Sequence, residues 1–393
     1  MNEKFRKIYN GLCACAVFYK ATEQPLFKAF ERYCFAQTEQ EKRKAYTAFV
    51  AEIYENGGSL TAFTQRLVFE DENVYIKSMA AKKEMDENVK NSVVRELNAL
   101  SAFASLTAED FADDMGLSVE ELPKFSSVNA DMGASYKERI ANLHKYGYGI
   151  FSSVCMFRLS DDKKIEPIVS ADKTSMAQFI GYETEREKIV ENTRAFIEGR
   201  PAANALLCGD AGTGKSSTVK AVANAFFDEG VRLIELRKDQ LRFLPLVMAQ
   251  VSGNPLKFII FIDDLSFNQN NDDFSMLKAA LEGSASATAD NAVIYATSNR
   301  RHIVKESFGD RDGDDVHRND TMQETLSLSE RFGLTVLFSK PDKKLYLKIV
   351  KTLAKRGGVT MDEKELEIQA EAFALRKGNR SARCAEQFIN SLL

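Results

Sequence analysis

Histidine is scarce in this chain of 393 residues, and the three present, His144, His302 and His317, share no spacing that seats zinc. Six cysteines, at 13, 15, 34, 155, 208 and 384, include no C-x-x-C pair. Cys13-x-Cys15 is half of a metal pattern without a second half, so the cysteines read as small buried thiols. No stretch approaches the roughly 18 to 20 apolar residues needed to cross a bilayer, and no membrane span is expected. The first residues, Met1-Asn2-Glu3-Lys4-Phe5-Arg6-Lys7, run into charge without the apolar core or cleavage site of a secretory signal. A cytoplasmic protein is expected. An excess of one charge is also missing: 53 Lys and Arg against 57 Asp and Glu leave a net charge of -4. That balance argues against a chain-wide nucleic-acid surface and leaves a local basic patch open.

What is present is ordinary globular material, 44% hydrophobic and 28% charged. The length exceeds what one hydrophobic core usually serves, so two or three domains are expected.

Residues 206–218 organise the rest. Gly209-Asp210-Ala211-Gly212-Thr213-Gly214-Lys215-Ser216 fits the phosphate-binding pattern G-x-x-x-x-G-K-[ST], entered from an apolar strand and left through a helix that begins at Ser217. Gly209, Gly212 and Gly214 let the backbone turn so that successive N–H groups point at phosphate oxygens, with the positive end of the helix behind them. Lys215 is placed to reach the β- and γ-phosphates of ATP, and the Ser216 hydroxyl to ligate Mg²⁺.

In chain order, residues 1–145 read as a mostly helical N-terminal domain. Pro25–Phe35 and Glu39–Tyr54 carry aromatic stripes at helical spacing, with Tyr46, Phe49, Val50 and Ile53 on one face. Asn56-Gly57-Gly58-Ser59 breaks the pattern, and helical segments resume over 60–67, 89–104 and 136–145. Residues 146–175 read as a β-hairpin and linker, with a β-like run over 147–159 and a short return at 165–169. From 176 to 339 strands alternate with helices. Such a pattern implies an α/β fold, a parallel sheet covered by helices on both faces, with the site at the carboxyl ends of the strands. Residues 340–393 read as a small helical lid.

Two apolar strands end in polar residues that suit nucleotide chemistry. The first closes on Asp263-Asp264: Asp263 is placed to hold Mg²⁺ through water, and Asp264 to polarise the water that attacks the γ-phosphate. The second closes on Asn299, whose amide is placed to orient that water. Arg331, ahead of the last strand, is positioned to meet the γ-phosphate of a neighbouring subunit. Arg380 and Arg383 open the final helix, and one of them would reach the nucleotide of its own subunit. Helix register favours Arg383, because Ala385, Phe388 and Ile389 then fall on the buried face; Arg380 stays open. The polar stretches 268–273 and 309–315 read as exposed loops, and Arg300-Arg301 stays open between contact with the nucleotide, a neighbouring subunit and a nucleic-acid phosphate.

With these parts in place the chain resembles an AAA+ ATPase: Gly209–Ser216 as Walker A, Asp263-Asp264 as Walker B, Asn299 as sensor 1, Arg331 as arginine finger and Arg380 or Arg383 as sensor 2. The wording of Phe261-Ile262-Asp263-Asp264-Leu265-Ser266-Phe267, Tyr295-Ala296-Thr297-Ser298-Asn299-Arg300-Arg301-His302 and Leu328-Ser329-Glu330-Arg331-Phe332-Gly333-Leu334 resembles a prokaryotic AAA+ family catalogued as a domain of unknown function. The resemblance covers residues 145–393. It implies that Ile180 and Tyr182 border the adenine. It also implies a homo-oligomeric ring or spiral that forms on ATP binding, and a protein or nucleic-acid client it does not identify. Many AAA+ proteins carry Glu where Asp264 stands. A slow nucleotide-dependent switch and, more remotely, a small-molecule kinase remain open as alternatives.

Overall fold

The computed structural model describes residues 2–170, 173–265, 277, 281, 289–299 and 331–393. The polar stretches 268–273 and 309–315, the pair Arg300-Arg301, and residues 328–330 ahead of Arg331 lie outside the described residues. The chain divides into two compact units, Met1–Ser153 and Val154–Leu393.

The first unit is helical. Pro25, at the start of the helix Pro25–Phe35, gives up an N–H that has no partner in a first turn. Thr38 and Glu41 close a capping box on the helix Glu39–Glu55. Gly57 and Gly58, at φ +97° and +79°, end that helix in a backbone region that costs other residues dearly. The aromatic stripes do face inward: Tyr46, Phe49, Val50 and Ile53 are at most 1% exposed. Phe5, Tyr33, Tyr46 and Phe49 surround Phe111 with ring centroids 4.8 to 5.3 Å away. At the centre the fully buried Glu96 accepts the backbone N–H groups of Ala16 and Val17 at 2.9 Å and Phe18 at 3.0 Å.

The β-like run expected from residue 147 is shorter than its composition suggests. Gly147 and Gly149 take φ near +60°, residues Gly149–Ser152 make a 3₁₀ turn, and the strand β1 is confined to Met156–Leu159, within the second unit. It pairs antiparallel with β2 (Ile165–Pro167), as a hairpin should, and its other edge pairs in parallel with a later strand of the same unit.

That unit is built on one seven-stranded sheet in the order β2-β1-β4-β5-β6-β3-β7, where β3 is Ala205–Gly209, β4 Val231–Leu236, β5 Lys257–Ile262, β6 Ala292–Ser298 and β7 Leu334–Phe338. All its pairings except β1 with β2 are parallel. β3, β5 and β6 read as near-continuous apolar runs because both faces of the sheet are covered, whereas β4 is interrupted by Arg232 and Glu235. Leu207, Leu233, Ile259, Phe261 and Tyr295 pack on one face with the helices Glu183–Ile197 and Lys215–Ala225. Leu206, Ile234, Ile260 and Ile294, pointing the other way along the pleat, are no more than 1% exposed. β7, at the sheet edge, keeps an alternating pattern of burial instead.

Three helices follow, Lys343–Gly357, Glu363–Lys377 and Ala382–Asn390, capped by Asp342, Asp362 and Ser381. They share a small core in which Tyr346, Ala385, Phe388 and Ile389 are buried. A mostly parallel sheet in this strand order, with a helical lid behind it, is the AAA+ fold. Because β5, β6 and β3 are parallel neighbours, the segments leaving their carboxyl ends emerge side by side.

Candidate functional site

The loop after β3 folds as its glycines require. A Cβ on Gly209, at φ +132°, would overlap the carbonyl group of Phe338, so no other residue fits beside β7. Gly212 and Gly214 take φ +76° and +89° and deliver the chain into the helix that starts at Lys215. Thr213 ties the loop by donating to the Asp210 carbonyl at 2.9 Å, and the Asp210 carboxylate accepts Lys340 N–H at 2.9 Å. Ala211 is exposed at the tip, and Ser217 is half-buried on the next turn.

Lys215 is buried, and its ammonium donates to the Gly209 carbonyl at 3.0 Å, the Asp210 carbonyl at 2.7 Å and Asn299 Oδ1 at 3.1 Å. Burial lowers its pKa below the usual lysine value, and the carboxylates of Asp210, Asp264 and Asp263 pull the other way. A desolvated ammonium whose acceptors here are all neutral favours an incoming anion.

Asp263 and Asp264 follow β5. Asp263 Oδ1 accepts the Ser216 hydroxyl at 2.6 Å, the Thr297 hydroxyl at 2.5 Å and Asp264 N–H at 3.1 Å. Asp264 takes φ +52°, a region a non-glycine residue enters at a cost, and its N–H is also held by Thr297 Oγ1 at 2.9 Å. Asn299 joins the two halves: its amide nitrogen donates to Asp264 Oδ1 at 2.7 Å while its oxygen accepts from Lys215. Lys215, Ser216, Asp263, Asp264 and Asn299 therefore form one hydrogen-bonded group. The paired oxygens of Ser216 and Asp263, hard ligands beside a phosphate loop, fit a Mg²⁺ ion.

A cavity of about 180 Å³ opens on the other side of the loop, between Gly214 and the lid. Ile180, Tyr182 and Arg383 line it. Tyr182 packs its ring 5.4 Å from Phe338 and donates its hydroxyl to the Ser339 carbonyl at 2.6 Å. The lid lies directly on the loop: Arg383 N–H donates to the Gly212 carbonyl at 3.4 Å, and a Cβ on Gly212 would come within 3.2 Å of Arg383 Cβ. Arg380 is not among the cavity's lining residues. It makes a bidentate pair with Glu371 of the lid, at 3.1 and 2.9 Å.

Arg331 stands apart from the group. It precedes β7, whose first residue pairs with Ala205, whereas the phosphate loop follows Gly209, which pairs with Phe338. The intervening strand separates them by roughly 13 Å along the sheet, at about 3.3 Å per residue.

Two residues of the site were not singled out by sequence reasoning. Thr297 had a signal, a polar side chain in an apolar strand, two positions before Asn299. Arg186 lines the cavity and is 6% exposed. Its only signal was a cation in the first turn of a helix, where the dipole favours the neighbouring Glu183 and Glu185.

Among solved structures, the chain is similar to the Thermotoga maritima RuvB Holliday junction branch migration motor, at 13% identity over 56% of this chain and 72% of that one, with a TM-score of 0.35. Two single-substitution forms of that motor match over the same shares at 14% and 15% identity, with TM-scores of 0.33 and 0.35. No curated protein matches. A family model described as "Protein of unknown function (DUF815)" matches residues 152–393. That span is more than half of the chain and holds the whole phosphate loop, both strand-end acids and the lid, and the chain belongs to this family.

Proposed function

We propose that the chain is an ATPase that binds Mg-ATP along Gly209–Ser217, hydrolyses it with its own strand-end acids and completes the site with Arg331 of an adjacent copy. The observation that carries the hydrolytic part is the single hydrogen-bonded group of Lys215, Ser216, Asp263, Asp264 and Asn299. Backbone N–H groups of the loop and Lys215 would hold the β- and γ-phosphates. Mg²⁺, held by Ser216 and Asp263, would neutralise charge on the phosphate oxygens. Asp264 would polarise the attacking water, with Asn299 fixing its carboxylate, and Arg383 would reach the phosphates from the lid.

Assembly rests on topology. Arg331 lies beyond the amino end of β7 and the phosphate loop beyond the carboxyl end of β3, so a strand's length lies between Arg331 and its own phosphate loop. That separation favours a role for the guanidinium at a neighbour's γ-phosphate, which supports a ring or spiral. Hydrolysis would change the set of the lid, which touches the loop at Gly212, and transmit work to a protein or nucleic-acid client. The helical unit Met1–Ser153 is the natural client adaptor, and the cytoplasm the natural setting. Among the described residues no helix is long and apolar enough to cross a membrane.

The test is ATP hydrolysis against protein concentration, for the wild type, Lys215→Ala, Arg331→Ala and an equal mixture of the variants. Specific activity should rise with concentration, and the mixture should recover activity that neither variant has alone. Concentration-independent hydrolysis with an active Arg331→Ala protein would point to a monomeric nucleotide switch.

A further inference from the structure

The strongest unexplained group in the second unit is Arg186. Its guanidinium stacks 4.3 Å from the ring centroid of Phe179 and 6.0 Å from that of Tyr182, and Nη1 donates to the Gly181 carbonyl. Nε is sealed from solvent and makes no hydrogen bond with any described residue. A cationic donor left unsatisfied inside a protein is costly, and its retention calls for an acceptor that arrives from elsewhere.

The surroundings say which kind. Arg186 borders the cavity between the phosphate loop and the lid, together with the apolar side chains of Ile180, Ile349 and Leu353. The Phe179 ring comes within 3.9 Å of where a Cβ on Gly214 would be, so this cavity begins where the phosphate loop ends. A slot next to a phosphate loop that combines these apolar side chains with the polar groups of Ser217, Arg383 and Glu386 suits a flat heterocycle with polar edges better than another phosphate. Gln178 offers little competition, since its Oε1 caps Ser175 N–H at 3.1 Å. Burial also pushes the Arg186 pKa down to about 10, which leaves it a cation at neutral pH.

Resting on the nucleotide reading above, we infer that Arg186 is the base-reading group of the site, donating to a ring-nitrogen acceptor of a purine nucleotide while Phe179 holds its guanidinium flat. The residue is a specificity determinant, with no part in the phosphate chemistry.

Equilibrium titration calorimetry with wild type, Arg186→Lys and Arg186→Met tests this, using ADP, its 1-deaza, 3-deaza and 7-deaza analogues, and inorganic tripolyphosphate, all with Mg²⁺. The wild type should bind one of the deaza analogues roughly tenfold more weakly than ADP, as expected for one lost hydrogen bond to a charged donor. Both variants should bind ADP weakly and cease to distinguish the analogues, with tripolyphosphate affinity unchanged. Equal binding of all analogues by the wild type overturns the inference and leaves the nucleotide reading intact. So does a loss in the variants that is the same for tripolyphosphate as for ADP, which makes Arg186 a scaffold for the loop. Failure of the wild type to bind ADP or tripolyphosphate at all overturns the nucleotide reading itself.

Discussion

The hydroxyl of Thr297 donates to Asp263 Oδ1 at 2.5 Å and accepts the N–H of Asp264 at 2.9 Å, so one side chain of β6 fixes both acids that end β5. It holds Asp264 at φ +52°, where the carboxylate meets Asn299. Replacing Thr297 by valine keeps the shape and removes both bonds. Leaving a polar group unsatisfied costs about 1–3 kcal/mol, or roughly 5- to 160-fold in kcat where the cost falls on the transition state. Thr297→Val should lower kcat with little change in KM, and Thr297→Ser should restore most of the rate. A change in KM alone would mean that Thr297 shapes nucleotide binding and not the placement of Asp264.

The two arginines that open the last helix separate by partner. Arg380 is engaged with Glu371, whose carboxyl it holds below the usual range, while Arg383, whose backbone N–H donates to the Gly212 carbonyl, lines the cavity beside the loop. Arg383→Ala should weaken ADP binding roughly tenfold or more, the scale of a hydrogen bond to a charged group. Arg380→Ala should leave ADP affinity as it was and lower the melting temperature by loosening the lid. Nucleotide titrations and thermal melts of the two variants decide it, and the reverse pattern would exchange their roles.

How much of this was readable beforehand follows from how far each feature reaches along the chain. Gly209–Ser216 and the acids at 263 and 264 are local patterns, and a parallel sheet necessarily gathers strand ends at one edge, so the group around Lys215 was legible. The choice between Arg380 and Arg383 was half legible: the apolar face at Ala385, Phe388 and Ile389 is buried as the register required, but the pairing of Arg380 with Glu371 depends on helix packing. β1 joining the sheet beside β4 was not readable, because its partner lies far along the sequence. Arg186 was hidden for a similar reason. Its neighbours Phe179 and Gly181 are close in sequence, but the lid residues across the cavity are not.

Lys215 gives a pH dependence with a definite sign. Burial lowers its pKa in the folded chain below 10.5, so between the folded value and 10.5 the unfolded chain binds the proton more tightly. Stability from this residue therefore rises with pH through that window, and at lower pH the buried charge is a net cost. Lys215→Met lacks the term. Without nucleotide the variant should melt higher than the wild type at about pH 8, and the gap should narrow toward about pH 10. Paired melts across that range check it, and a constant or widening gap would show that the ammonium is not desolvated in the folded chain.

Glu96 tests the helical unit independently of the nucleotide. Its two carboxylate oxygens are divided unequally, Oε1 to Ala16 N–H and Oε2 to Val17 and Phe18 N–H. Arg95, 3.9 Å away and largely exposed, offers only a weak ion pair. Alanine at this position strands the buried donors of Val17 and Phe18 and frees the exposed N–H of Ala16 to water, at about 1–3 kcal/mol for each buried group left unsatisfied. Glutamine keeps one acceptor, enough for Val17 and Phe18, and turns an amide N–H against Ala16. Glu96→Ala should therefore destabilise the unit by about 2 kcal/mol or more, and Glu96→Gln by less. Amide hydrogen exchange at residues 16–18 reads this directly, with the fastest exchange in Glu96→Ala and intermediate exchange in Glu96→Gln. Equal protection in all three proteins would mean that this turn is held by the packing of Phe18 and not by the carboxylate.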